Sequence, residues 1–127
     1  MVTIRRFSGR GEPLLASLCE LLIDAVHGGA SVGFLAPLSP EGAARYWAGV
    51  LAAAGDGLVL WVAEDGGRVV GSIQLATCEK ENGRHRAEIH KLLVRRSHRG
   101  QGIATRLMEQ AESFAGSTGR TLLVLDV

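Results

Sequence analysis

Arg95-Arg96-Ser97-His98-Arg99-Gly100-Gln101-Gly102-Ile103-Ala104 stands between two segments of different period. Before it, His85 to Val94 reads as a strand. After it, Gln101 to Ala115 carries Ile103, Leu107, Met108, Ala111, Phe114 and Ala115 on one helical face, and Gly116 and Gly119 end the pattern. Glycines let a backbone approach a ligand closely. A helix start offers unpaired N–H groups and a partial positive charge, a combination that binds phosphate oxygens. Arg95, Arg96 and Arg99 can add charge-assisted contacts. Two glycines alone would read as a turn with a solvated basic rim; the strand before, the amphipathic helix after and the arginine at the head favour a phosphate cradle. A dinucleotide fingerprint needs a third glycine and an acidic residue on the following strand, and a Walker loop needs Gly-Lys-Ser/Thr.

Outward from this turn, apolar patterns alternate with glycine-rich breaks. Thr121 to Val127 is a very hydrophobic strand, and a strand-helix-strand crossover normally makes its two strands parallel. Upstream, Leu58 to Glu64 and Arg68 to Thr77 are strands joined by Asp65-Gly66-Gly67. Glu81-Asn82-Gly83 marks the turn into His85 to Val94. Val2 to Phe7 is a short first strand. Leu14, Leu15, Leu18, Leu22 and Val26 recur at helical spacing, and Gly28-Gly29 ends that helix. Ser39 reads as the N-cap of a second helix with Pro40 at its first position, followed by Ala43, Trp47, Val50 and Leu51. The order β-α-α-β-β-β-α-β predicts an α+β fold with a mixed sheet, in one domain over residues 1–127.

The chain has 127 residues, 46% of them hydrophobic but only 5% aromatic, so small aliphatic side chains do most of the packing. A formal net charge of +1 gives no global field to draw nucleic acid or a membrane surface. No apolar run approaches a membrane span, and the N-terminus lacks the core of a signal peptide. The expectation is a cytoplasmic chain without nucleic-acid or membrane partners. Cys19 and Cys78 lie in apolar patterns and read as small buried hydrophobes. His85 and His90 are five apart, on opposite faces of a strand, and neither His-Glu-x-x-His nor Cys-x-x-Cys occurs, so no metal is expected. Gly29-Ala30-Ser31-Val32-Gly33 has the Gly-x-Ser-x-Gly spacing but follows a helix pattern rather than a strand, so there is no nucleophile elbow and Ser-His-Asp chemistry is unsupported.

Arg99-x-x-Gly102-x-Ala104 resembles the Arg/Gln-x-x-Gly-x-Gly/Ala signature of the GNAT superfamily of N-acetyltransferases, and the order of elements matches over the whole chain. The resemblance implies an acyl-CoA N-acyltransferase fold with acetyl-CoA as cosubstrate. It assigns the pyrophosphate to the turn, Arg99, Gly100, Gln101, Gly102, Ile103, Ala104 and Thr105, and the pantetheine arm to Leu92, Leu93 and Val94. Val26 to Phe34, Leu60-Trp61-Val62 and Arg86-Ala87-Glu88 further resemble the tabtoxin-resistance acetyltransferases, which modify the amino group of a β-lactam antimetabolite.

In this superfamily an amine attacks the acetyl thioester directly within a ternary complex. The resemblance makes Asp126 the first catalytic candidate, a carboxylate able to take the ammonium proton or attract the cation. Glu88 is the second: it shares a strand face with His90 at period two, and the alternative is a salt bridge with Arg84, Arg86 or Lys80. His27, at the head of the loop His27 to Pro37, can orient a substrate carboxylate or move a proton, or simply end a helix as a histidine favoured by the dipole. Ser31, Val32, Trp61 and Gln74 are weaker substrate-pocket candidates, and for Trp61 the core reading is favoured.

The family continues past its last matched strand with a loop, a helix and two closing strands, a region carrying a tyrosine that protonates the thiolate. This sequence stops before them and reads as C-terminally truncated; its only tyrosine is Tyr46, in the second helix. An unpaired hydrophobic last strand is expected to self-associate. Three functions stay open: acetyl transfer to a small, amino-acid-like amine, a weakly active coenzyme-A-binding module, and acetylation of a protein or peptide amine.

Overall fold

The computed structural model describes residues 1–7, 14–28, 38–55, 57–77 and 86–119, and the backbone of 122–126. Strand β1 spans Val2–Arg6, helix α1 Leu15–His27, helix α2 Pro40–Ala53, β2 Leu58–Asp65, β3 Arg68–Thr77, β4 Arg86–Val94, helix α3 Ile103–Ser117 and β5 Leu122–Asp126. One 3-10 turn, Arg96–His98, joins β4 to α3. The strands form one sheet in sequence order. β1 to β4 are antiparallel neighbours, and β5 joins β4 in parallel, as a crossover through α3 dictates.

Helices cover both faces of the sheet. Leu18, Leu21, Leu22, Ala25 and Val26 of α1 pack with Ala43, Trp47 and Val50 of α2 on Leu60, Val62, Val69 and Leu93. On the other face, Ile103, Leu107, Ala111 and Ala115 of α3 lie on Val59, Trp61, Ala63, Ile73, Leu75, Ala87 and Ile89. The period of two in β2 therefore sends Val59, Trp61 and Ala63 to α3 and Leu60 and Val62 to α1 and α2, so the strand is apolar from Leu58 to Ala63. α2 starts where Ser39 accepts a hydrogen bond from the Gly42 N–H at 3.0 Å, with Pro40 next in line. α3 comes close to β3 at Gly71: a Cβ there would lie 3.1 Å from Ile103 Cγ2, Leu107 Cδ1 and the Leu93 carbonyl oxygen.

The third strand pair holds the irregularity that shapes the site. Ser72 pairs with Leu93 and Gln74 with His90, so Lys91 and Leu92 together oppose Ile73 in a β-bulge. Lys91 adopts φ of 50°, alone among the described non-glycine residues in having positive φ, a conformation that costs an L-residue roughly 1–2 kcal/mol. Ile89 and Leu93, four apart, would share a face on a regular strand. Here Ile89 packs under α3 and Leu93 under α1 and α2.

Candidate active site

A cavity of about 470 Å³ opens where β4 meets the N-terminus of α3. The strand contributes Leu92, Leu93 and Val94. The turn contributes His98, Arg99, Gly100 and Gly102, and the first residues of α3 add Ile103, Ala104 and Thr105. Ala25 of α1 closes the far side. Leu92 is 37% exposed, a large apolar side chain left open on the wall. The register between β4 and β5 ends at His90 and Asp126, and β4 runs on to Val94 along the cavity.

Two glycines shape the turn. Gly100 and Gly102 have φ of 80° and 78°, and Gly102 is the N-cap of α3. No heavy atom lies within 4 Å of where a Cβ would stand at either glycine. The left-handed backbone, rather than crowding by the protein, is what requires glycine there. The turn thus presents the start of a 15-residue helix to open space beside Arg99.

Two carboxylates brace this turn from opposite sides. Asp24 of α1 accepts the Arg96 backbone N–H at 2.9 Å and the Arg96 Nε–H at 3.1 Å. Arg96 is therefore committed to Asp24, which corrects its expected place among the phosphate contacts. Burial alone would push the Asp24 carboxyl up. The Arg96 amide and guanidinium bonds, with the charges of Arg96 and Arg95, outweigh it and hold the group below the usual carboxylate range. Asp65, ending β2, meets His98 Nε2 at 2.9 Å, and Ser97 Oγ meets His98 Nδ1 at 2.8 Å. The His98 bond, then the N-terminal ammonium beside it, lower the Asp65 carboxyl.

The residues expected to hold the cofactor thus gather round one cavity, except Gln101, which belongs to the same turn but not to the wall. His98 and Ala25 were not expected there. His98 sits inside the quoted motif and was readable as a candidate. Ala25 is placed only by the packing of α1.

The catalytic candidates lie along β4 towards its start. Glu88 is 48% exposed and its Oε2 stands 3.1 Å from His90 Nε2, so its contact is with a neighbour on its own strand face. Asp126 pairs in register with His90, and Gln74 pairs with His90 from the other side. Directly opposite residues point to the same face of a sheet. Gln74 is 3% exposed, and its Nε2 donates to the Tyr46 hydroxyl of α2 at 3.0 Å. The face carrying Gln74, His90 and Glu88 is therefore the α2 face.

The substrate-pocket candidates divide. Gln74 belongs to the row just described. His27 is the exposed last residue of α1 and its Nε2 accepts the Leu38 N–H at 3.3 Å, joining the chain ends on either side of residues 29–37. Ser31 and Val32 lie outside the described residues. Trp61 is corrected: it is 4% exposed, lies edge-on to Phe114 at 5.6 Å and belongs to the core beneath α3, because alternation along β2 turns it away from α2. Among the described residues, no group of three His, Cys, Asp or Glu could hold a metal ion, and no helix is long and apolar enough to cross a membrane.

Residues 16–127 match the family model described as Acetyltransferase (GNAT) family. This chain belongs to that family. Over 128 aligned residues, covering 99% of this acetyltransferase and 75% of the relative, it is 34% identical to an uncharacterized N-acetyltransferase in the hisH-hisA intergenic region of Azospirillum brasilense. It is 41% identical to N-acetyltransferase 8 of Rattus norvegicus over 66 residues, 51% of this chain and 30% of that protein. Among solved structures, a predicted acetyltransferase of Clostridium acetobutylicum, crystallised with acetyl-CoA, has the same fold with a TM-score of 0.69 and 21% identity, covering 100% of this chain and 81% of that one.

Proposed function

We propose that this acetyltransferase moves the acetyl group of acetyl-CoA to a primary amine of a small, amino-acid-like molecule, by direct attack within a ternary complex. The observation that carries the reading is the cavity bounded by the left-handed glycines, the start of α3 and the Leu92–Val94 stretch of β4. The backbone N–H groups at the turn suit the pyrophosphate, and Arg99 adds charge. The open Leu92 side chain and the adjoining edge of β4 suit the pantetheine arm. The thioester then lies towards His90, where Glu88 and Asp126 can attract the ammonium and take its proton. The amine nitrogen bonds to the carbonyl carbon as the carbon–sulfur bond breaks, and the thiolate leaves as coenzyme A thiol after gaining a proton. Positioning the two substrates supplies much of the acceleration.

In the finer form of this proposal the acceptor resembles the amino group of a β-lactam antimetabolite, the enzyme acts in the cytoplasm, and a second chain pairs along β5. The likeness of the Val26 to Phe34 block to tabtoxin-resistance enzymes supports the first of these.

The test is release of coenzyme A thiol from acetyl-CoA with a panel of amino acids, amino sugars and lysine peptides, with mass spectrometry of the product. Acetylation of small amines at the nitrogen is expected. Acetylation of peptides alone, or thiol release without any N-acetyl product, would contradict the reading.

A further inference from the structure

His98 lines the cavity, yet both of its ring nitrogens are already engaged. Nε2 meets Asp65 Oδ2 at 2.9 Å and Nδ1 meets Ser97 Oγ at 2.8 Å, while the His98 backbone N–H donates to the Arg95 carbonyl at 2.9 Å. The His98 bond and the N-terminal ammonium hold the Asp65 carboxyl below the usual carboxylate range, so at neutral pH it can only accept, and Nε2 carries the proton between them. Ser97 Oγ is less restricted: a hydroxyl both donates and accepts. It donates to Nδ1 of a neutral ring and accepts from the Nδ1–H of a charged one. The imidazole can therefore gain a proton without losing either bond. Its side chain is 17% exposed, so a charge on it is poorly screened from an anion in the same cavity.

Charged groups reach this ring from several elements. Asp65 ends β2, and the Met1 ammonium at the head of β1 stands 3.4 Å from Asp65 Oδ1. Arg68, opposite Asp65 in the hairpin, is paired with Glu20 of α1. Arg106 of α3 donates to the Val2 carbonyl at 3.2 Å. In the turn itself Arg95 and Arg99 flank the histidine, and Arg96 is bonded to Asp24. The start of α3 adds a partial positive charge. The arginines and the helix start oppose another positive charge on the ring, and Asp65 favours it. A diphosphate against the same wall adds negative charge and tips that balance. We propose that His98 takes up a proton at Nδ1 when the diphosphate of the donor binds, with Asp65 as the positioning residue that fixes the ring. This rests on the acetyl-CoA reading above. The proton comes from solvent and returns to it when coenzyme A leaves, because coenzyme A carries the same diphosphate as its acetyl ester. It is distinct from the proton of the amine. Donor affinity is thereby tied to pH: it falls as pH rises, by at most about tenfold per unit for one proton.

The experiment is calorimetry of coenzyme A binding to the whole chain near neutral pH, in two buffers of different ionisation enthalpy, which counts the protons exchanged. The monoester phosphate of coenzyme A can exchange protons as well, and it does so equally with a His98→Gln chain, whose amide still donates to Asp65 but takes no proton. The native chain is expected to take up more than His98→Gln, by up to about one proton. Asp65→Asn should lose most of that excess and raise KM for acetyl-CoA with kcat retained, and Asp65→Glu should restore part of it. Equal uptake by the native and His98→Gln chains, or an excess unchanged in Asp65→Asn, overturns the proposal. Where His98→Gln does not fold or does not bind, nitrogen NMR of the native histidine rings decides: His98 should pass from one protonated nitrogen to two as coenzyme A is added, and an unchanged ring overturns the proposal. A folded native chain that binds no coenzyme A overturns the donor reading and this proposal with it, whereas binding without the proton difference overturns this proposal alone.

Discussion

His90 on β4 pairs in register with Asp126 on the parallel strand β5. Glu88 is joined to His90 at 3.1 Å, so a carboxylate of the same strand meets the imidazole at this register position.

If these carboxylates handle the amine's proton, removing either should slow chemistry more than it weakens donor binding. Glu88→Gln and Asp126→Asn are each expected to lower kcat, the more important of them by about a hundredfold to ten-thousandfold, the usual size of general base catalysis. The double variant should fall by less than the product of the two, since residues acting as a unit are not additive. Steady-state kinetics on the preferred amine check this. Unchanged kcat in both single variants would assign the carboxylates to structure.

Asp24 and Asp65 brace the turn, and their charge should be visible in acid. Both carboxyls lie below the usual range in the folded chain. A group lowered on folding stabilises the fold above its unfolded pKa, roughly 3.9 for Asp, and loses that contribution as pH falls through its folded value. Asp24→Asn and Asp65→Asn should therefore unfold at lower urea than the native chain at neutral pH. The curves should converge in strong acid, where the native carboxyls are also neutral. Curves that stay parallel throughout would show that neither charge supports the turn.

Gly71 measures how tightly α3 sits on the sheet. Gly71→Ala places a Cβ 3.1 Å from Ile103, Leu107 and the Leu93 oxygen. Overpacking of this kind is expected to cost about 1–3 kcal/mol. Because Ile103 and Leu93 also line the cavity, acetyl-CoA affinity should fall with stability. A loss of stability in urea titration with unchanged affinity would show that the cavity wall absorbs the shift.

Most of the architecture was legible in local patterns. Ser39-Pro40 marked the start of α2, Gly66-Gly67 the hairpin, and Gly100 and Gly102 the start of α3. What local pattern could not give was pairing. The bulge at Lys91 and Leu92 exists only relative to Ile73 on the neighbouring strand, and it reverses which face Leu93 serves. Arg96 carried the same charge as Arg99 in the sequence, and only the approach of α1 showed that Asp24 takes it. Trp61 lies in a strand buried on both faces, where hydrophobicity alone does not say which face a side chain joins. The Tyr46–Gln74 bond brings together residues 28 positions apart, and no motif announces it.

The central claim is that the turn at Gly100 and Gly102 cradles the pyrophosphate of acetyl-CoA. Titration calorimetry of acetyl-CoA into the native chain, Gly102→Glu and Gly119→Glu tests it most directly. Gly102 and Gly119 have nearly the same backbone, with φ of 78° and 79°, and open space around each, but they stand at opposite ends of α3. The two substitutions should strain the chain alike, and only the one at Gly102 puts an anion at the cavity. Binding by the native chain and Gly119→Glu, with none by Gly102→Glu, is the predicted result. Equal binding by all three folded proteins, or none by the native chain, would contradict the account.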